Sequence, residues 1–134
     1  MKNTPNSIAL IHALIVDDDP FMLELTEEML QQLGVQIISR AQNGQDALTR
    51  FEQGKSRPNL ILIDLHMPNK DGFQLMEAIS QHGYDGAVII VSGQTSRVLH
   101  SAELMAQFHR LNILGTLEKP VKREALLQTI NKMW

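Results

Sequence analysis

No cysteine occurs anywhere in the 134 residues. Disulfides, thiolate metal sites and cysteine nucleophiles are therefore excluded. The absence fits a reducing cytosol. Positive charge is not in excess either: the net charge is −3. That leaves no broad basic field for nucleic acid, and no basic amphipathic helix stands out for a membrane surface. No apolar run approaches the length of a membrane span. The run Ile8–Val16 is broken by His12 and followed by three acids, not by a small-residue cleavage site. It reads as a buried strand rather than a secretory signal. Internal repeats, low-complexity tracts and linkers are missing too. What is present, 43% hydrophobic and 20% charged residues, suits one globular domain with a real core. Residues 1–7 read as a loose polar arm and residues 8–134 as a single domain.

Short apolar runs alternate with longer helical patterns. The runs are Ile8–Val16, Val35–Ser39, Leu60–Ile63, Ala87–Val91 and Ile113–Leu117. Four of them are rich in Val, Ile and Leu without strict alternation, as strands buried on both faces are. Val35–Ser39 is less continuous and suits an edge. Met22, Leu25, Met29 and Leu33 form one helical stripe, ended by Gly34. Asn43 is an N-cap for a helix carrying Ala47, Leu48 and Phe51. Phe73, Met76 and Ile79 line a third helix, Val98, Ala102, Met105 and Phe108 a fourth, and Leu126, Leu127 and Ile130 a fifth. Five strands alternating with five helices predict an α/β fold with an open, doubly wound parallel sheet.

In such a sheet, ligands bind at the carboxyl ends of the strands. The first strand runs into Asp17, Asp18 and Asp19, the third into Asp64, the fourth into Ser92 and the fifth into Lys119. Acid, acid, hydroxyl and ammonium thus converge on one edge. Close carboxylates repel and need a cation among them. Hard oxygen donors of this kind suit Mg²⁺, which also grips phosphate oxygens. Lys119 would neutralise a phosphoryl oxygen and Ser92 would donate to another. An aspartate in that setting is a nucleophile toward phosphorus. Asp19 is different. It precedes Pro20, so it reads as a helix cap rather than a ligand, leaving Asp17 and Asp18 as the metal pair. Taken singly, each of these residues has an ordinary reading as a loop acid, a turn serine or a surface lysine. Their joint occurrence in strand order carries the functional one. His12, His66, His82, His100 and His109 lack metal-site spacing and read as surface or packing residues.

LIVDDDP (14–20), LILIDLHMPNKDG (60–72), VIIVSG (88–93) and LGTLEKP (114–120) together resemble the receiver domain of bacterial two-component response regulators. The resemblance covers nearly the whole chain. It implies a flavodoxin/CheY-like sheet of order 2-1-3-4-5. Asp64 corresponds to the phosphorylated aspartate. Asp17 and Asp18 match the acidic pair that holds Mg²⁺ or Mn²⁺, and His66 falls where the family offers a backbone carbonyl to the metal. Ser92 and Lys119 match the residues that contact the phosphoryl group. Pro120 matches a proline often entered through a cis bond, and Pro68 and Gly72 match the loop after the acceptor, where a glycine permits unusual backbone angles. One position departs. The family often has Tyr or Phe three residues before the lysine, swinging as the Ser/Thr moves; here it is Thr116, so the aromatic switch cannot work in that form.

The resemblance further implies a cytoplasmic signalling switch rather than a turnover enzyme. A sensor histidine kinase or histidine phosphotransfer protein would be the donor. An output domain or partner protein would read the surface around the fourth helix, fifth strand and fifth helix, where a homodimer could also form. The run 92–120 is similar to receivers joined to cyclic di-GMP phosphodiesterase (EAL) domains. The chain ends at Trp134 with no room for such a domain, so it is either a stand-alone receiver or a piece of a longer regulator. A phosphatase of the haloacid dehalogenase type would need D-x-D-x-T/V, but position 21 is Phe. A flavodoxin-like nucleotide binder would need a Ser/Thr/Gly-rich loop where three acids stand. A receiver that only docks partners would not need the full acid, hydroxyl and lysine set.

Overall fold

The computed structural model describes residues 5–53, 57–65, 67, 71–93 and 110–134. Five strands, β1 (His12–Val16), β2 (Ile37–Ala41), β3 (Leu60–Asp64), β4 (Ala87–Ser92) and β5 (Asn112–Glu118), form one sheet. Every neighbouring pair is parallel and the order is β2-β1-β3-β4-β5. The helices are α1 (Pro5–Ala9), α2 (Pro20–Leu33), α3 (Gly44–Gln53), α4 (Asp71–Gln81) and α5 (Arg123–Ile130), followed by a 3₁₀ turn at Asn131–Met133. The predicted helix through Val98, Ala102, Met105 and Phe108 lies outside the described residues.

Alternate residues of each central strand feed two separate cores. Leu14, Val16, Ile61, Ile63, Val88 and Ile90 face Ala47 and Phe51 of α3 and Met76 and Ile79 of α4. Ala13, Ile15, Leu60, Leu62, Ile89 and Val91 face Leu23 and Leu30 of α2 and Leu126 and Ile130 of α5. Both faces are covered, so neither tolerates polar residues, and the strands read as unbroken apolar runs. The two edge strands are the exceptions: Ile37 of β2 and Asn112 and Glu118 of β5 are exposed.

Three details differ from the sequence reading. The run Ile8–Val16 is not one strand. Pro5–Ala9 is helical, Leu10 N–H donates to Ser7 and Ile11 N–H to Ile8, and the strand starts only at His12. Helical Ile8 is thereby packed into the second core, so the arm expected over residues 1–7 is helical from Pro5. A short apolar run cannot distinguish helix from strand by period alone. Second, β2 begins two residues later than Val35. Val35 N–H instead donates to Leu30 beyond Gly34, whose φ of 107° closes α2.

Third, the stripe on α2 is shifted by one residue. Leu23, Thr26 and Leu30 are buried, while Met22, Leu25, Met29 and Leu33 are half-buried flanks. Both sets have helical spacing, so periodicity identifies the helix without choosing the phase. Replacing Leu30, with no exposed surface, by Ala is expected to cost about 2–5 kcal/mol. Met29→Ala should cost well under half as much. Urea unfolding of both variants checks this; equal losses would restore the Met stripe as the inner face.

Candidate functional site at the carboxyl edge of the sheet

Parallel strands end together, so residues far apart in sequence meet at one edge. Asp17 and Asp18 follow β1, Asp64 ends β3, Ser92 ends β4 and Lys119 follows β5. The parallel registers align those ends, with Val16 opposite Ile63, Asp64 opposite Val91 and Ser92 opposite Glu118. Asp64 is 2% exposed and Asp17 5%; Ser92 is fully buried and Asp18 is exposed. Carboxylate oxygens of Asp17, Asp18 and Asp64 lie within 4.8 Å of one another. They form the one cluster of potential metal ligands among the described residues, and no histidine belongs to it.

Lys119 holds this pocket together. Its Nζ donates to Asp64 Oδ2 at 3.0 Å and sits 3.2 Å from Asp17 Oδ2. Its backbone N–H donates to Ser92 O at 3.1 Å, and its peptide bond to Pro120 is cis, as the resemblance implied. Burial pulls the ammonium down, but the hydrogen bond and charge of Asp64, joined by Asp17, more than reverse this and leave its pKa raised. Asp17 is pushed up to about 6, first by burial; the Asp19 N–H opposes the shift, the Asp64 charge adds to it and Lys119 lowers it again. Asp19 takes the capping role. Its Oδ1 accepts from Phe21 N–H at 3.0 Å at the start of α2, with Pro20 in the first turn, while its own N–H donates to Asp17 Oδ1 at 2.9 Å.

Of the residues singled out from sequence, Asp17, Asp18, Asp64 and Lys119 are brought together, with Ser92 at the adjoining strand end. Thr116 lies inside β5, half-buried and opposite Ile90. His66 and Pro68 lie outside the described residues. Sequence reasoning missed Met22 and Thr26, which with Leu62 and Val91 line a small cavity beside Asp17 and Asp64. Only the place of Met22 in the first turn of α2 hinted at that contact. Three hard carboxylate oxygens within 4.8 Å of one another, two of them on largely buried residues, suit a divalent cation of the Mg²⁺ kind.

Residues 13–131 match the response regulator receiver domain family. The chain belongs to that family. It is 29% identical over 121 residues to the chemotaxis protein CheY of Bacillus subtilis, covering 89% of this chain and 93% of that one. A response regulator from Colwellia psychrerythraea has the same fold, with a TM-score of 0.77 and 27% identity over 93% of this chain and 99% of the other. A complex of CheX with CheY, BeF₃ and Mg²⁺ from Borrelia burgdorferi superposes with a TM-score of 0.77 at 21% identity, covering 90% and 86% of the two chains, a likeness of fold alone. The chain spans about half of some longer relatives: 50% of the probable C4-dicarboxylate regulator DctR of Priestia megaterium and 46% of an alginate regulatory protein of Pseudomonas aeruginosa.

A receiver domain is a signalling switch rather than an enzyme of metabolic turnover, and this chain carries the acidic pocket through which that class works. Among the described residues no helix is long and apolar enough to cross a membrane.

The raised Asp17 predicts a pH effect in chelator-treated protein. The folded chain binds this proton more tightly than the unfolded chain, where the ordinary value of 3.8 applies. Stability from this group is therefore lost as pH rises from about 3.8 to about 6. Urea midpoints should fall across that window, and Asp17→Asn should flatten the fall. A variant curve as steep as wild type would place the proton elsewhere.

Proposed function

We propose that Asp64 accepts a phosphoryl group from the phosphohistidine of a sensor histidine kinase or a histidine phosphotransfer protein. One observation carries this reading: a largely buried Asp64 carboxylate held 3.0 Å from Lys119 Nζ, with two further acids alongside. An Asp64 oxygen attacks phosphorus in line. The P–N bond breaks, its electron pair returns to the imidazole, and a P–O bond to Asp64 forms. Lys119 already donates to that carboxylate, so its ammonium stands ready for the charge on the transferred group. Ser92, at the neighbouring strand end, is assigned the hydrogen bond to a phosphoryl oxygen. Hydrolysis by water later returns Asp64 and inorganic phosphate.

Asp17, Asp18 and Asp64 are the side chains assigned to Mg²⁺ or Mn²⁺, with the His66 carbonyl as a further ligand. The cation supplies charge neutralisation between the acids and the incoming phosphoryl oxygens. Catalysis by this chain is then mostly positioning and electrostatics. The receiver unit is assigned to residues 8–134, supported by Ile8 and Trp134 packing on the same core. We place it in the cytoplasm, signalling to an output domain or partner protein. The LGTLEKP run (114–120) favours partners of the cyclic di-GMP phosphodiesterase kind.

Incubation with acetyl phosphate or beryllium fluoride tests the acceptor. Wild type should respond only when Mg²⁺ is present, and Asp64→Asn should not respond at all. An inert wild type under both treatments would sink the assignment. Thr116→Tyr should phosphorylate within about threefold of wild type, because position 116 touches output rather than chemistry, an effect under about 1 kcal/mol. A large loss in phosphorylation rate would move Thr116 into the reacting site.

A further inference from the structure

Gly72 is buried and is the second residue of α4. The loop role expected for it rested on unusual backbone angles. Among the described glycines, positive φ belongs only to Gly34 and Gly83, so angle is not what position 72 requires. Space is. A Cβ at position 72 would stand 3.0 Å from the backbone oxygen of Asp64, 3.1 Å from Leu65 Cδ2 and 3.3 Å from Leu65 Cα. Carbon contacts are ordinarily about 3.5–4.0 Å. The first turn of α4 therefore rests directly on the peptide that carries Asp64.

That peptide is held on its other side as well. Leu65 N–H donates to Val91 O at 3.0 Å, and Asp64 pairs with Val91 in the sheet. The Asp64–Leu65 peptide is thus gripped between β4 and α4. Only the short side chain of Asp64 separates it from the carboxylate that meets Lys119.

We infer that Gly72 is a positioning residue for Asp64. Its missing side chain lets α4 close on the Asp64 peptide and so sets where the carboxylate stands relative to Lys119 and Asp17. Two of the three contacts are backbone, so a methyl group at 72 cannot be absorbed by a rotamer change alone. Either α4 or the end of β3 must give by a few tenths of an ångström. The inference rests on Asp64 being the acceptor.

The test compares wild type, Gly72→Ala and Ile79→Val, a conservative core change further along α4. Each is assayed for phosphorylation by acetyl phosphate at saturating Mg²⁺, for beryllium fluoride affinity by calorimetry, and for stability in urea. Misplacing reacting groups by about 1 Å can cost on the order of 100-fold, so a shift of tenths should slow Gly72→Ala about tenfold. Beryllium fluoride binding should weaken in parallel. Ile79→Val should keep the wild-type rate despite its loss of stability. The double variant Gly72→Ala/Leu65→Ala removes the yielding side-chain contact but keeps the two backbone ones. It should remain slow, and it supplies the reading if Gly72→Ala alone does not fold. A wild-type rate in either Gly72 variant, or an equally slow Ile79→Val, overturns the inference. Inert wild-type protein would instead count against Asp64 as acceptor.

Discussion

Two carboxylates and one ammonium sit at the edge of an apolar sheet, and the arrangement of the rest follows from keeping them there. Asp17 and Asp64 are nearly without solvent, and each reaches the same Lys119 Nζ. Burying two like charges together is costly, and a single shared cation offsets only part of it. The residue of that cost is visible in Asp17, whose carboxyl is pushed up to about 6. A pocket with more negative than positive charge is primed for a divalent cation. Once such a cation is present, it is equally primed for an anionic group that Lys119 can share.

The sheet makes this charge cluster affordable by separating functions along each strand. Strand interiors contribute nothing but Val, Ile, Leu and Ala to two dry cores. Strand ends contribute the polar groups, where backbone pairing stops and side chains can turn into a common space. Backbone bonds between neighbouring ends then do the aligning. Asp17 N–H donates to Ala41, Leu65 N–H to Val91 and Lys119 N–H to Ser92, so Asp17, Asp64, Ser92 and Lys119 each leave a tied peptide. Preorganised groups of this kind need little rearrangement when charge moves among them.

Output is a separate question from chemistry. Thr116 is a small, half-buried residue of β5 that carries no ring, so no signal can travel as the swing of an aromatic side chain at that position. The close approach of Gly72 to the Asp64 peptide ties Asp64 to α4 by backbone rather than by a rotating side chain. Elements joined in that way shift together or not at all, which suits a population shift between discrete arrangements.

Much of this was legible without coordinates. Runs of Val, Ile and Leu identified the three central strands because burial on both faces removes alternation. The order of acids, hydroxyl and lysine at their ends identified the site, because parallel strands must finish at one edge. Asp19 was legible as a cap from Pro20 alone, and Gly34 as a helix end. Tertiary structure alone decided three matters. The phase of α2 belongs to Leu23 and Leu30 rather than to Met22 and Met29, since two stripes of equal period differ only in what they meet. Residues Pro5–Ala9 are helical because Ile8 has the second core to reach, a partner that local sequence does not contain. Gly72 is needed for its closeness to Asp64, and that closeness exists only once α4 has folded back onto β3. Sequence determined which groups gather and in what order; packing through space decided how near they stand.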